Sequence, residues 1–156
     1  MIPAQTMKAV QVLQPTAVAA ETETAVEIDT LGFDYLNIYV ICGAMQAALT
    51  ACKLSEGDTS GGTFTDIAAA TVGNAACIDV EGSAVALSVC DDNDAVAYQV
   101  NLVGRKRYIK FTSDTAAGGT STHAVLAVLS RRAEIEGDTN ANYIAASTGT
   151  AKVIRI

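Results

Sequence analysis

The sequence predicts an all-β protein: an antiparallel β-sandwich, jelly-roll-like, with extended terminal arms. Three observations predict it. Apolar and polar residues alternate in run after run, clusters of Gly, Asp, Ser and Thr interrupt those runs at short intervals, and no segment carries the spacing of a long amphipathic helix. Alternation with period two marks a strand with one buried face, because successive side chains point to opposite sides of a sheet. About eight short strands joined by polar turns are best accommodated as two packed sheets.

Taken in order, residues 1–21 read as an N-terminal arm, and Pro3 and Pro15 are the only prolines, so the later strands are free of a residue that cannot donate to a ladder. Val26 and Ile28 alternate with Glu27 and Asp29. After a turn at Leu31-Gly32-Phe33-Asp34, Leu36, Ile38, Val40 and Cys42 share one face and Asn37 and Tyr39 the other, so the two runs read as a hairpin-like pair. Leu49 to Ser55 is a further strand, closed by the loop Glu56 to Gly62, whose glycines permit backbone angles that other residues avoid. Thr63 to Ile67 starts a short strand, while Ala68 to Ala76 is ambiguous, because alanine favours helix and Thr71, Val72 and Gly73 do not.

Cys77 to Val80 and Ala84 to Cys90 read as extended, and Asp91-Asp92-Asn93-Asp94 separates them from Val96, Tyr98, Val100 and Leu102, which alternate with Ala97, Gln99 and Asn101. Gly104 ends that strand. Tyr108 to Thr112, a loop carrying Gly118 and Gly119, and His123 to Leu129 complete a sandwich domain over residues 22–132. The remainder, 133–156, is polar and small until Val153-Ile154-Arg155-Ile156, and reads as a C-terminal arm. Such a segment either adds a strand to the sheet edge of a neighbouring subunit or packs on its own domain.

Composition narrows the function. A chain of 156 residues fits one domain, which can bury roughly two-thirds of the surface its unfolded form exposes. Half of the residues are hydrophobic, Trp is absent and aromatics make up 5%, so the core is built from small side chains. With 10 basic and 17 acidic residues the net charge is −7, which disfavours a nucleic-acid partner, since such binding draws on Lys and Arg to neutralise phosphates. No stretch reaches the ~18 apolar residues of a membrane-spanning helix, and Met1 to Lys8 lacks the features of a secretory signal, so neither a membrane partner nor export is expected.

Residues that could carry chemistry are few. His123 is the one histidine and lies in an apolar run, without a G-x-S-x-G elbow or a recognised cysteine signature, so it reads as structural. Cys42, Cys52, Cys77 and Cys90 match no zinc spacing and read as reduced core thiols, with Cys42 facing Cys52 across a hairpin as the alternative. A paired-carboxylate hydrolase would also want aromatic platforms. Asp91 to Asp94 lacks the central Gly and terminal Glu of a calcium loop, and Gly57, Gly61 and Gly62 are not followed by Lys-Ser or Lys-Thr, so both segments read as turns. No enzyme activity, metal or cofactor is expected. Concentrated positive charge occurs at Arg105-Lys106-Arg107 and Arg131-Arg132, each flanking a strand, and these five residues with Val153, Ile154 and Ile156 are the candidate interface.

Four segments carry a family resemblance: Ile28-Asp29-Thr30-Leu31-Gly32-Phe33-Asp34-Tyr35 before an apolar strand, Leu54-Ser55-Glu56-Gly57-Asp58 running into Thr63-Phe64-Thr65-Asp66-Ile67, Leu102-Val103-Gly104-Arg105-Lys106-Arg107-Tyr108-Ile109-Lys110, and Ala124 to Arg131. In order and spacing they resemble small virion structural proteins of tailed bacteriophages, of the head decoration (cement) type, over about residues 22 to 132. The resemblance implies a homo-oligomer, a dimer or trimer, assembled in the host cytoplasm, that binds the major capsid protein on the outside of the head and bridges capsid subunits. It transfers no catalytic residue. The segment Cys77 to Cys90 and the tail beyond Ala133 fall outside the pattern. A tail or head-tail connector component is the alternative function, and a receptor- or glycan-binding sandwich of the virion the next, weakened by the scarcity of aromatic rings.

Overall fold

The computed structural model describes residues 7–20, 23–86, 90, 92–131 and 151–156, and among them there is no helix. Nine strands form among the described residues: β1 (Met7–Val18), β2 (Glu23–Asp29), β3 (Tyr35–Cys42), β4 (Leu49–Gly57), β5 (Thr65–Thr71), β6 (Ala95–Asn101), β7 (Tyr108–Thr115), β8 (Ser121–Ser130) and β9 (Ala151–Arg155). They make a five-stranded sheet, β1-β8-β3-β6-β9, and a four-stranded sheet, β2-β7-β4-β5. The pairs β1:β8, β2:β7, β3:β6 and β4:β5 are antiparallel and nested, one within the next. That nesting is a single long hairpin rolled into two layers, the topology of a jelly roll.

The turn Leu31 to Asp34 therefore does not close a hairpin. It carries the chain from β2 in one sheet to β3 in the other, and β2 pairs with β7 instead. Alternation in sequence reveals a strand and its buried face, but it says nothing of the partner. The connection from β3 to β4 also crosses between sheets, so Cys42 and Cys52 lie in different sheets, and all four cysteines are buried free thiols.

Both ends of the chain join the sandwich. Met7–Val18, within the segment expected to be an arm, is a twelve-residue edge strand on β8. Its register shifts between Gln11 and Leu13 and again between Leu13 and Thr16, and Pro15 sits inside the second shift, where a residue without an N–H does no harm. Those irregularities break the alternation and hide the strand in the sequence. Ala151–Arg155 packs on its own domain, parallel to β6. Residues 1–6 and 132–150 lie outside the described set. Of the two extended runs expected at 77–80 and 84–90, the described part holds only the bridge Ile78↔Ala84 and the bridge Asp79↔Ile154.

The core fills the space between the layers. Leu36, Ile38 and Val40 of β3, Val96, Tyr98 and Val100 of β6, and Val125, Ala127 and Leu129 of β8 face Cys52 and Leu54 of β4 and Ile109 and Phe111 of β7. Each fully buried large apolar side chain contributes about 1.5–3 kcal/mol relative to exposure. Polar groups in this space are tied across the gap: the Tyr98 hydroxyl donates to the Cys52 carbonyl (3.0 Å) and lies 3.3 Å from Cys52 Sγ. Burial disfavours the ionised form of Tyr98, and it pushes the Cys77 thiol up to about 11.

The alternation is directly testable. Phe111→Ala, in the core, should cost about 3–5 kcal/mol by urea unfolding. Leu126→Ala, on the outer face of β8 and 40% exposed, should cost less than ~1 kcal/mol. Equal losses would mean the faces are misassigned.

Candidate functional site

One end of the sandwich is built from two copies of the same local device. In Asp29-Thr30-Leu31-Gly32 the Leu31 N–H donates to Asp29 Oδ1 (3.1 Å), and in Asn101-Leu102-Val103-Gly104 the Val103 N–H donates to Asn101 Oδ1 (3.0 Å). Asp and Asn favour this bond to their own backbone two residues on. Each segment then closes a β-turn, Phe33 N–H to Thr30 O (3.1 Å) and Arg105 N–H to Leu102 O (3.0 Å). The third turn residue is a glycine at φ +83° or +80°, the left-handed value that a type II turn demands. Thr30 and Leu102 are buried, so the residue between them and the glycine is driven outward. Leu31 is 65% exposed and Val103 74%.

Backbone bonds lock the turns together. Thr30 donates to the Arg107 carbonyl through both its N–H (3.0 Å) and its hydroxyl (2.6 Å). Leu102 N–H donates to Asp34 O (2.8 Å), and Asp34 N–H donates to Ser130 O (3.0 Å), so the β2–β3 loop, the β6–β7 loop and the end of β8 form one surface. Two further exposed apolar residues stand at this end, Met7 and Tyr35, both in register with Ser130.

Of the basic residues expected at an interface, Arg105, Lys106, Arg107 and Arg131 gather here, and the first three have their charge already matched. Arg107 grips Asp29 with two bonds, Nε to Oδ1 (2.9 Å) and Nη2 to Oδ2 (2.7 Å), and stacks over Tyr108 (4.9 Å). Lys106 pairs with Asp58 (2.9 Å) and Arg105 with Glu56 (3.7 Å). Arg131 donates to the Gly32 carbonyl (2.9 Å) and lies over the Phe33 ring (5.7 Å). Exposed pairs contribute little stability, typically ~0–1 kcal/mol, so their effect is to fix loop geometry and to leave the tip close to neutral in an acidic protein. The Arg107 guanidinium holds the Asp29 carboxyl down at about 2, so its stabilising pairing persists above the ordinary carboxylate value of 3.8 and fades as pH falls towards 2.

The remaining candidate residues sit elsewhere. Arg132 lies outside the described residues, and Val153 belongs to β9. Ile154 is fully buried in the core of its own domain, so it presents no free surface here, because β9 turns it inward against β6. Ile156 is half-buried and reaches the edge of the tip, where its carbonyl accepts the Asn101 N–H (2.9 Å). Leu31 and Val103 were missed by reading for charge; the repeated pattern of Asx, any residue, an apolar residue and Gly is the signal that marks them.

His123 lies between the sheets, its Nε2 3.0 Å from Ser113 Oγ of the opposite layer, beside a second cross-layer pair, Thr115 and Ser121 (2.7 Å). Its Nδ1 makes no hydrogen bond of normal geometry. Burial lowers the pKa of His123 below the ordinary histidine value, an effect the Ser121 backbone partly offsets. A surface depression of about 400 Å³ is lined by Gly73, Asn74, Ala75, Ala84, Val85 and Ala86, none of them an acid, base or nucleophile. Among the described residues no cluster of His, Cys, Asp or Glu is arranged to hold a metal ion.

Because His123 is buried neutral, the unfolded chain takes up its proton first as pH falls below about 6.5, and stability present above that value is lost on acidification. Melting temperature should therefore drop between pH 7 and pH 5, and His123→Gln should flatten that slope; an unchanged slope would refute the assignment. Comparison of the chain with protein families, with curated proteins and with solved structures gives no match.

Proposed function

We propose that this protein is a non-enzymatic structural component of a virus particle, a capsid decoration (cement) protein of a tailed bacteriophage head. It binds the outer surface of the shell and bridges neighbouring subunits of the major capsid protein. The observation that carries this reading is the stiff, near-neutral tip, which holds Leu31 and Val103 in solvent on two hydrogen-bonded turns.

A large apolar residue is held in water at a cost, and a turn that holds it rigidly has already met the entropy of ordering it. Apolar anchors inside a rim of polar contacts are the arrangement that dominates protein–protein binding energy. Since three of the tip cations, Arg105, Lys106 and Arg107, are matched internally, attachment does not require an acidic partner. The segments that build the tip, Ile28 to Tyr35 and Leu102 to Lys110, are also two of the four that resemble phage decoration proteins. A small tip gives modest affinity per copy, and repetition over a symmetric lattice multiplies it. The net charge of −7 suits a place outside the shell, away from packaged DNA.

The reading is tested with heads assembled without the protein, to which purified protein is added before sedimentation. Leu31→Asp with Val103→Asp should weaken co-sedimentation at least ~10-fold, the loss of one or two anchors, while the melting temperature stays near that of the parent. Heads that bind the parent and the double variant equally, or that bind neither, would exclude the tip as a shell contact.

A further inference from the structure

β9 occupies a slot whose walls come from elsewhere in the chain. On one side is β6, with Ala95↔Ala151 through Gln99↔Arg155 in parallel register, extended by Ile156 N–H to Gln99 O (2.9 Å) and Asn101 N–H to Ile156 O (2.9 Å). On the other is Asp79, which bridges Ile154 from a turn closed by the bridge Ile78↔Ala84. That turn holds its own shape: Asp79 Oδ1 accepts the N–H groups of Glu81 (3.0 Å) and Ser83 (2.8 Å), and Gly82 takes φ +83°. Ile154, fully buried, is the side chain that seals the slot.

The connection to this strand is longer than its task. β8 ends at Ser130, opposite Tyr35, which in turn lies opposite Asn101, whereas β9 starts opposite Ala95 at the far end of β6. Returning along β6 takes about 20 Å, while the nineteen residues 132–150 can extend to ~60 Å. Every other strand pair in the two sheets is antiparallel; β6:β9 is parallel, a pairing that obliges a chain to travel back when both strands belong to it and imposes nothing when they do not. Residues 151–156 also carry Lys152 and Arg155 and no carboxyl side chain, in a chain of net charge −7.

We propose that residues 151–156 of one copy fill the slot between β6 and the Ile78–Ala84 turn of a second copy, so that subunits are joined by exchange of β9. The exchanged strand repeats the bonds of the closed form, and the cost of exchange is only that of bringing two copies together, which mass action offsets at high local concentration. The lysine and arginine favour delivery to an acidic body. This inference stands independently of the proposed capsid role.

Two tagged versions of the full chain, one Ala97→Cys and the other Val153→Cys, are produced together and oxidised with glutathione disulfide. Registered across β6 and β9, the new thiols should yield a covalent dimer carrying both tags on a denaturing, non-reducing gel. A double variant, Ala97→Cys with Val153→Cys, that closes only within single chains while the tagged pair stays separate would overturn exchange. As a measurement without new thiols, light scattering of the parent should show an oligomer whose share rises with protein concentration. A parent that stays monomeric at millimolar concentration would also overturn it.

Discussion

The constraint on which this structure rests is registration across a rolled hairpin. Strands far apart in sequence meet so that alternate side chains enter one shared interlayer space, and a slip of one residue would turn every inward group outward. Leu36, Ile38 and Val40 enter from one layer and Leu54, Ile109 and Phe111 from the other. The buried hydroxyl of Tyr98 and the Ser113–His123 pair reinforce the register, because each finds its partner in the opposite layer only at one setting. The tip inherits its geometry from the same pairing, since Asp29 and Asn101 are the last residues of β2 and β6.

Much of this was legible in the residues. The strands at 35–42 and 95–101 announce themselves by alternation, and their buried members are the expected ones, while those at 108–115 and 121–130 are legible as apolar runs between polar turns. Three things were not legible, for different physical reasons. β1 is an irregular edge whose solvent side is polar or small at uneven intervals, so periodicity fails there. The destination of the turn at Leu31 to Asp34 is a property of the whole topology, set by which sheet has room for β3, and local chemistry carries no trace of it. The matched charges at Arg105, Lys106 and Arg107 depend on Glu56, Asp58 and Asp29, which are brought near only by folding.

Charge and shape at the tip thus divide the work in a way a sequence scan inverts. The conspicuous basic run fixes loops from within, and the inconspicuous Leu31 and Val103 meet the solvent. A cation held by two bonds to a carboxylate is a poor hook for a distant partner, but it is a good brace for a neighbouring apolar side chain. Searching β-sandwich sequences for apolar residues between Asx and Gly would find such anchors where a search for charge finds their supports.

The nested pairing also sets the order in which the molecule can be completed as the ribosome makes it. β4 and β5 are adjacent in sequence and can pair early, while β3 must wait for β6 and β2 for β7. β1, the first strand to emerge, has no sheet partner until β8 has been synthesised more than a hundred residues later. Pairing over such separations is slow because chain ends must be brought together before any contact rewards them. The bulges and the proline of β1 then acquire a second value: during that wait, an irregular strand is a poor template for joining another nascent chain.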